Sequence, residues 1–387
     1  MSDPVSFGAA AVTVAELQEI VAASLGEPSD DVTVTGCRVD RVDYDVPAIL
    51  TLDRHWVSGT ARTPSGERPF RLFVKTIGSF TRSPLFELVP EDVRSVAAAV
   101  PWRTEADVYR SELAAHLPLG LRMPRAYAVR DIDDLSAALW LEAVPVVQRR
   151  WSVADHAEAA FRLGRFAASP GVAGAVSDVA VHYTPRQYAS GRFEHQVVPA
   201  LRDDALARHP LLAPSFGPLR PRMLAAVEQV PHWLDELEAA PIGTSHGDAS
   251  VNNLLRVAGS DDLVLLDFGF LGRQPVGFDL AQLLVGEIQL GRRAASELAP
   301  LEAAIVPAFV AGLTAEGMSV PGEVVQRVHA LQMSLFSGLS AYPFEHLASE
   351  PTPELMALAE ERAQLARFCL DLVDSTRPIR PVHSPRR

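Results

Sequence analysis

Five stretches in the N-terminal part of the chain have the apolar pattern of β-strands, with clear alternation from Phe70 to Lys75 and an almost continuous apolar run over 137–144. The stretches are residues 32–42, 48–62, 68–77, 126–130 and 137–144. Pro64-Ser65-Gly66 lies between the second and the third stretch and supplies the residues of a hairpin turn. The N-terminal part of the chain is therefore predicted to be built mainly on strands.

Apolar positions at helical spacing predict helices at the start of the chain and through its second half. Thr13 and Glu16 have the spacing of a capping box that begins a helix over 12–25, and Trp102 to Leu117 is predicted as a second helix. The later helices are predicted at residues 152–167, 221–239, 278–290, 294–313, 320–340 and 354–373. Pro307 lies inside the fourth of these and is expected to kink or break it.

Length, composition and charge are those of an ordinary soluble protein with room for two domains. The chain has 387 residues, of which 48% are apolar and 21% are charged. The formal net charge is −13, and no basic stripe is available that could displace counterions from the phosphates of a nucleic acid. This argues against nucleic acid as a partner, and it leaves the oligomeric state open.

Cysteine usage and the N-terminal sequence predict a cytoplasmic protein. Cys37 and Cys369 are too few for a disulfide framework, which favours a reducing compartment. The N-terminal sequence Met1 to Pro4 lacks the basic stretch and the apolar core of a signal peptide. The sequence has no run of about 18 apolar residues, which is the length needed to cross a bilayer, so no membrane partner is predicted.

The most informative motif lies near the middle of the chain. His246-Gly247-Asp248 is followed five residues later by Asn253, and Asp267-Phe268-Gly269 then ends a short apolar run. Phosphoryl transfer needs one carboxylate that orients the attacking hydroxyl and accepts its proton, and it needs oxygen ligands for magnesium. The two aspartates and the asparagine supply these residue types in this order. The motif therefore indicates transfer of the terminal phosphate of a nucleotide.

A single lysine among 35 basic residues draws attention to one strand position. The other 34 basic residues are arginines, and Lys75 ends the alternating run that begins at Phe70. An ammonium on a flexible stem suits a point contact with α- and β-phosphates, for which the planar guanidinium is not an equivalent substitute. The alternative is a surface lysine that escaped a coding bias by chance.

Together these residues resemble the aminoglycoside phosphotransferase and choline kinase-like family, whose members are small-molecule kinases. The resemblance is specific over about residues 245–284 and loose elsewhere. It implies an α+β, two-lobed protein kinase-like fold with a small antiparallel-sheet N-lobe and a larger, mostly helical C-lobe. The N-lobe is expected at residues 1–144, the C-lobe at 145–376 and a loose tail at 377–387.

Carried across by position, the resemblance implies a role for each motif residue. Asp248 would be the catalytic aspartate, and His246 would hold the catalytic loop in shape. Asn253 and Asp267 would bind Mg²⁺. Lys75 would contact the phosphates of ATP, or of GTP, with ATP bound between the two lobes.

Two further residues would support this site. Asp279 matches the family's acidic residue beyond the metal-binding turn and would brace the catalytic loop. Glu105 and Glu112 lie on one face of the predicted helix but about 10 Å apart along its axis, so only one can reach Lys75. The resemblance favours Glu105, and the alternative for it is a solvated glutamate that makes local helix pairs.

The nucleotide contacts away from the phosphates are less well marked. The covering loop is expected near Asp43-Tyr44-Asp45-Val46, where no glycine occurs, unlike the glycine-rich loop of protein kinases. The strand 137–144 would run into the hinge between the lobes, where backbone groups of Glu142 to Val144 would bind the adenine edge. A strand of this composition equally suits a plain element of the sheet.

The acceptor pocket is expected in the helical lobe, where Glu287 and Glu345 are candidates for binding ammonium groups. The alternative is an ordinary solvated set of acidic residues. The predicted function is an ATP-dependent O-phosphotransferase that transfers the γ-phosphate to a hydroxyl of an antibiotic or a related secondary metabolite. A kinase of a primary sugar or amino alcohol is the runner-up.

A reading from a different class is a kinase-shaped nucleotide-binding module that has lost catalysis. The missing glycine-rich loop favours it, whereas the complete set of Lys75, Asp248, Asn253 and Asp267 opposes it.

Overall fold

The computed structural model describes residues 8, 10–43, 48–181 and 183–379. The predicted covering loop lies outside the described residues except for Asp43, and so does the predicted tail except for residues 377–379. The chain divides into two compact units. Unit 1 comprises Met1–Ala115, Arg122–Val147 and Arg256–Gly269, and unit 2 comprises His116–Leu121, Gln148–Leu255 and Phe270–Arg387.

Unit 1 is built on an antiparallel sheet of five strands in the order β1-β2-β3-β6-β5. The strands of the described chain are β1 Thr33–Arg41, β2 Thr51–Thr63, β3 Gly66–Gly78, β4 Leu121–Arg122, β5 Ala126–Asp133, β6 Ser136–Glu142, β7 Ile242–Ser245, β8 Leu254–Arg256, β9 Leu263–Leu265 and β10 Gly272–Pro275. The five predicted strands are confirmed, with ends within three residues of those observed.

The helices of the described chain are α1 Val14–Leu25, α2 Arg94–Ala98, α3 Thr104–Arg110, α4 Leu113–His116, α5 Val153–Ala168, α6 Pro170–Ala175, α7 Pro185–Tyr188, α8 Val198–Arg202, α9 Asp204–Ala207, α10 Ala213–Phe216, α11 Arg220–Val227, α12 Val230–Glu238, α13 Phe278–Gln289, α14 Leu298–Ala315, α15 Gly322–Met333 and α16 Pro353–Ser375. Two π-helical segments lie at Ala189–Val197 and Ser334–Gly338. Unit 2 is mostly helical, so the α+β prediction is confirmed.

The sheet of unit 1 buries both of its faces. One face packs against α1, with Leu17 and Val21 of the helix in the same cluster as Val57, Leu72 and Trp140 of the strands. The predicted capping box at the start of α1 is confirmed. The opposite face carries a second apolar cluster that includes Ala106 of α3, and this is the face that also bears Lys75.

The helix predicted over 102–117 is in fact two short helices, α3 and α4. Ser111 separates them in an extended conformation (φ −78°, ψ 175°). Its hydroxyl donates to the Val108 carbonyl and accepts from the Leu113 N–H. A serine side chain that bonds nearby backbone groups competes with the helical ladder, and here it ends one helix and begins the next.

Proline had different effects at two places. The helix predicted over 221–239 divides into α11 and α12, and Pro231 lies in the first turn of α12, where its missing N–H is tolerated. In contrast, α14 continues through Pro307, so the predicted break is wrong. Because proline has no N–H, the Ala303 carbonyl loses its helical hydrogen-bond partner. Pro307 and Ala303 are both exposed, so this carbonyl lies on the solvent side of α14.

Helices α5 and α14 pack closely in unit 2. A Cβ on Gly312 would lie 2.0 Å from the Phe161 carbonyl oxygen, so glycine is required at this approach. The segment Ala295–Ala315 is long and apolar enough to span a membrane by length and composition alone, with a mean hydropathy of 1.7, although Glu297 and Glu302 interrupt its apolar positions. Its apolar face, with Leu301, Ile305 and Phe309, is buried inside the protein, as in a core helix.

Candidate active site

Lys75 lies in the middle of β3, where neighbouring strands constrain it on both sides. It is paired with Arg54 on β2 and with Leu139 on β6. The residue is only 5% exposed. The lysine is therefore a built-in element of the sheet, and the alternative of a chance surface lysine is excluded.

The Lys75 ammonium lies between two carboxylates of unit 1. Its Nζ is 2.6 Å from Glu105 Oε2 and 3.1 Å from Asp267 Oδ2. The Glu105 side chain is 4% exposed, whereas that of Asp267 is 36% exposed. The structure thus brings together three of the residues that the sequence predicted, and Glu105 is a buried ion-pair partner rather than a solvated glutamate.

Burial and charge oppose each other in this trio. Burial alone would lower the pKa of Lys75, but the carboxylates of Asp267 and Glu105 outweigh it and raise that pKa. Burial raises the pKa of Glu105, and the neighbouring charge of Asp267 adds to the rise although Lys75 opposes it. The two carboxylates share the Lys75 ammonium, and Arg54 also acts on Glu105. Asp267 is the more exposed of the two, so it is the carboxylate that a cation from solution can reach.

Asp267 has an unusual backbone conformation. Among the described residues it is the non-glycine residue with positive φ, at 61°. Left-handed backbone is rare outside glycine and clusters at functional sites, with aspartate among the residues that tolerate it best. The turn begins two residues after β9 ends, and it directs the Asp267 carboxylate to Lys75.

Tyr109 is a neighbour of the trio that sequence reasoning missed. It lies one turn after Glu105 on α3, and its ring meets Phe268 edge-on at a centroid distance of 6.0 Å. Burial raises its pKa well above the usual value, and Glu105 and Asp267 act in the same direction. The spacing of four residues from Glu105 was the available sequence signal.

The catalytic-loop candidates lie together in unit 2. Asn253 Nδ2 donates to both the carbonyl and the Oδ2 of Asp248, each at 2.9 Å. This arrangement leaves Asn253 Oδ1 on the other side of its amide group. His246 is fully buried, and its Nδ1 accepts from the Asp248 N–H at 3.3 Å. These bonds fix the shape of the loop around the Asp248 carboxylate.

Asp279 joins the first turn of α13 to this loop. Its Oδ1 accepts from Ser245 Oγ at 2.8 Å and from the Gly247 N–H at 2.9 Å, while its Oδ2 accepts from the His246 N–H at 2.9 Å. Burial raises the pKa of Asp279, against the opposing influence of His246 and of these hydrogen bonds. Sequence reasoning missed Ser245, whose position next to the motif was its only signal.

Gly247 is the one residue of the loop that tolerates no side chain. Its φ is +86°, and a Cβ would lie 2.0 Å from the Phe270 carbonyl oxygen. Both the conformation and the close approach require glycine. The motif glycine is thus explained by backbone geometry.

One of the backbone groups predicted to bind adenine at the end of β6 already has a partner within the protein. The Glu142 N–H donates to the Arg125 carbonyl at 2.9 Å, and its carboxylate pairs with Arg122 at 2.9 Å. These groups hold the strand, so Glu142 cannot offer its N–H to a nucleobase. Val144 stays a prediction for this contact.

The two candidate substrate carboxylates are already neutralised. Glu287 Oε2 lies 2.8 Å from Arg293 Nε, and Glu345 pairs with Arg362 through both oxygens at 2.5 and 3.2 Å. Burial acts to raise the pKa of Glu345, but Arg362 holds that pKa below its usual value. The sequence could not show these arginines, and the proposed ammonium contacts at both glutamates are not supported.

The donor atoms suit magnesium rather than a transition metal. Within the described part of the chain no group of three or more His, Cys, Asp and Glu side chains is placed to hold a metal. Mg²⁺ is typically held by one or two protein oxygens together with substrate phosphates and water. The Asp267 carboxylate and the Asn253 amide oxygen have this chemistry.

The family can be recognised from a comparison with known proteins. The model of the phosphotransferase enzyme family matches residues 89–313, which is more than half of the chain. The match includes Glu105, Asp248, Asn253 and Asp267, and Lys75 precedes it. A search of curated proteins finds no match.

Several solved structures are similar to this chain at low sequence identity. Choline kinase from Cryptosporidium parvum Iowa II is 10% identical with a TM-score of 0.51, covering 93% of this chain and 96% of that one. Amicoumacin kinase in complex with AMP-PNP and Ca²⁺ is 14% identical, with a TM-score of 0.47 and coverage of 89% and 90%. Spectinomycin phosphotransferase in complex with ADP and spectinomycin is 10% identical, with a TM-score of 0.44 and coverage of 89% and 93%.

The likeness to choline kinase confirms the predicted protein kinase-like fold. The matched residues 89–313 confirm the resemblance seen in the sequence. The chain therefore belongs to the phosphotransferase enzyme family, and it is a small-molecule phosphotransferase.

Proposed function

We propose that the protein transfers the γ-phosphate of ATP, bound with Mg²⁺, to a hydroxyl group of an antibiotic or a related secondary metabolite. The observation that carries the proposal is the buried Lys75 ammonium held between Glu105 and the partly exposed Asp267. A buried ion pair beside a second, partly exposed carboxylate is costly to maintain for stability alone. Its chemistry suits the binding of a metal-loaded polyphosphate.

Each unit would contribute a separate part of the reaction. In unit 1, Lys75 would bind phosphate oxygens while Glu105 holds its ammonium in place. Asp267 would bind the metal, which when present neutralises charge on the phosphates. Arginine would not replace Lys75, because a planar guanidinium is bulkier than the ammonium in a position that is 5% exposed.

In unit 2, Asp248 would orient the acceptor hydroxyl. The hydroxyl oxygen forms a bond to the γ-phosphorus, the bond from that phosphorus to the βγ-bridging oxygen breaks, and the hydroxyl proton passes to Asp248. ADP and the phosphorylated acceptor are the products. Asn253 would contribute its amide oxygen to the metal, and Asp279 would hold the loop through Ser245, His246 and Gly247. Positioning and charge compensation would supply most of the rate enhancement.

The acceptor is the least constrained part of the proposal. The family supports a small-molecule acceptor, and both antibiotic kinases and a choline kinase are among the structures with the same fold. We favour an antibiotic or related metabolite and place the reaction in the cytoplasm. Cys37 and Cys369 are both free thiols, which supports a reducing compartment.

A screen of hydroxylated compounds tests the proposal. The purified protein would be incubated with Mg²⁺-ATP and pools of antibiotics, choline, ethanolamine and sugars, and each pool analysed by mass spectrometry for a compound that gains one phosphoryl group. The Asp248→Ala protein serves as the matched control. We expect phosphorylation of an antibiotic-like compound by the wild type only.

Other results would change the proposal in defined ways. Phosphorylation of choline, ethanolamine or a sugar alone would favour the kinase of primary metabolism. Mg²⁺-dependent ATP binding without transfer to any compound would support the inactive module instead.

A further inference from the structure

A cavity lies in unit 2 among residues that the proposed reaction does not use. It has a volume of about 420 Å³, which is in the range of small-molecule sites. Its lining comes from the middle of α14 and the start of α15. The lining residues are Glu302, Ala303, Val306, Pro307, Val310, Gly322 and Gln326.

The cavity has three hydrogen-bond acceptors, which are the Glu302 carboxylate, the Gln326 amide oxygen and the Ala303 carbonyl. Gln326 Nε2 donates to Glu302 Oε1 at 3.2 Å, so the amide oxygen of Gln326 faces away from that contact. Pro307 has no N–H, and the helical bond to the Ala303 carbonyl therefore cannot form. A carboxylate, an amide oxygen and a backbone carbonyl thus belong to neighbouring lining residues.

Glu302 is a buried carboxyl group and the one charged residue in the lining of the cavity. It is 8% exposed, and none of the lining residues is basic. Burial raises its pKa, and the hydrogen bond from Gln326 only partly opposes the rise. Buried carboxylates are normally paired with a cation, so this one has capacity for a positively charged ligand.

We propose that this cavity binds the ammonium group of an organic amine through the Glu302 carboxylate. An ammonium carries several N–H donors and no acceptor, which complements the three acceptors of the cavity. Val306, Pro307 and Val310 form an apolar wall that suits the hydrocarbon part of such a ligand. The site goes beyond phosphoryl transfer and stands independently of it, since Glu302 has no part in the proposed reaction.

The test is a titration of protein labelled in its valine methyl groups. Benzylamine, which is an ammonium ion at neutral pH, is the probe, and benzyl alcohol is its neutral counterpart. We expect saturable shifts of the Val306 and Val310 methyl signals with benzylamine, and at least tenfold weaker binding of benzyl alcohol. This comparison uses the wild-type protein and needs no variant to fold.

A pair of matched variants locates the charge. Glu302→Gln keeps the size of the side chain, and we expect it to weaken benzylamine binding at least tenfold. Glu323→Gln removes the same charge from an exposed position on α15 and is expected to leave binding unchanged. Equal binding of the amine and the alcohol, no saturable shift of either valine, or unchanged affinity in Glu302→Gln would each overturn the proposal.

Discussion

Lys75 shows how much one residue can reveal when its surroundings are known. It is the one lysine among 35 basic residues, and it proves to be buried within ion-pair distance of two carboxylates. An arginine in such a place would need room for a planar fork and would bind in a different geometry. The need for a compact ammonium explains why this position escaped the arginine bias.

Lys75→Arg is expected to lower kcat/KM for transfer by about 100-fold or more, since a misplaced charge no longer stabilises the developing charge on the phosphates. Steady-state kinetics with Mg²⁺-ATP and an identified acceptor would measure this. Arg71→Lys, on an exposed position of the same strand, is the control and should stay within about twofold of the wild type. Near wild-type activity of Lys75→Arg would show that the lysine is not needed for charge placement.

The role of a single residue could be predicted where its own chemistry is specific. It could not be predicted where a distant side chain determines that role. Asp248 and Asn253 follow from residue type and spacing, whereas the choice of Glu105 over Glu112 for Lys75 also needed the family resemblance. The structure brings each pair together. The arginine that neutralises Glu345 comes from a helix 17 residues further along the chain, and periodicity does not reveal such a pairing.

At the scale of elements, the catalytic loop depends on one backbone conformation. Gly247→Ala places a Cβ against the Phe270 carbonyl at a φ of +86°, so we expect destabilisation by about 2 kcal/mol or more and loss of transfer. Urea unfolding followed by circular dichroism measures the first effect. Gly174→Ala is the control, because its Cβ would meet nothing within 4 Å. Equal stability of the two variants would rule out this role for the loop glycine.

A substitution in helix α14 is expected to stabilise the protein. Pro307→Ala restores the N–H that the Ala303 carbonyl lacks, at an exposed position inside a helix. We expect the free energy of unfolding to rise by about 1 to 3 kcal/mol. A fall in that free energy in urea titrations would mean that Pro307 makes packing contacts that outweigh the missing hydrogen bond.

Elements were predictable where local signals agree. The strands of unit 1 follow from their apolar pattern and from the Pro64-Ser65-Gly66 turn, and the capping boxes at Thr13 and Ser152 mark true helix starts. The break at Ser111 was missed because one serine side chain satisfies backbone groups on both sides of it. The short helices between α5 and β7 have too few turns to show a period.

At the scale of the whole molecule, a buried histidine should set the stability in mild acid. His329 on α15 is fully buried, and among the described residues neither ring nitrogen has a hydrogen-bond partner. Burial lowers its pKa from 6.5 to about 4. The unfolded chain therefore binds a proton between these values that the folded protein does not.

Stability from this group is fully present above pH 6.5 and is lost as the pH falls toward 4. The loss amounts to about 3 kcal/mol, since one pKa unit corresponds to about 1.4 kcal/mol. His329→Leu should remove most of this dependence, which urea titrations at a series of pH values would show. An unchanged slope between pH 6.5 and 4 in the variant would assign the acid sensitivity to other groups.

The most direct test of the central claim is transfer of label from γ-³²P-ATP to an acceptor by the wild type and by Asp248→Ala. The account predicts labelled acceptor with the wild type in the presence of Mg²⁺, and none with the variant although it still binds Mg²⁺-ATP. Label transfer by Asp248→Ala at a rate near that of the wild type would contradict the account.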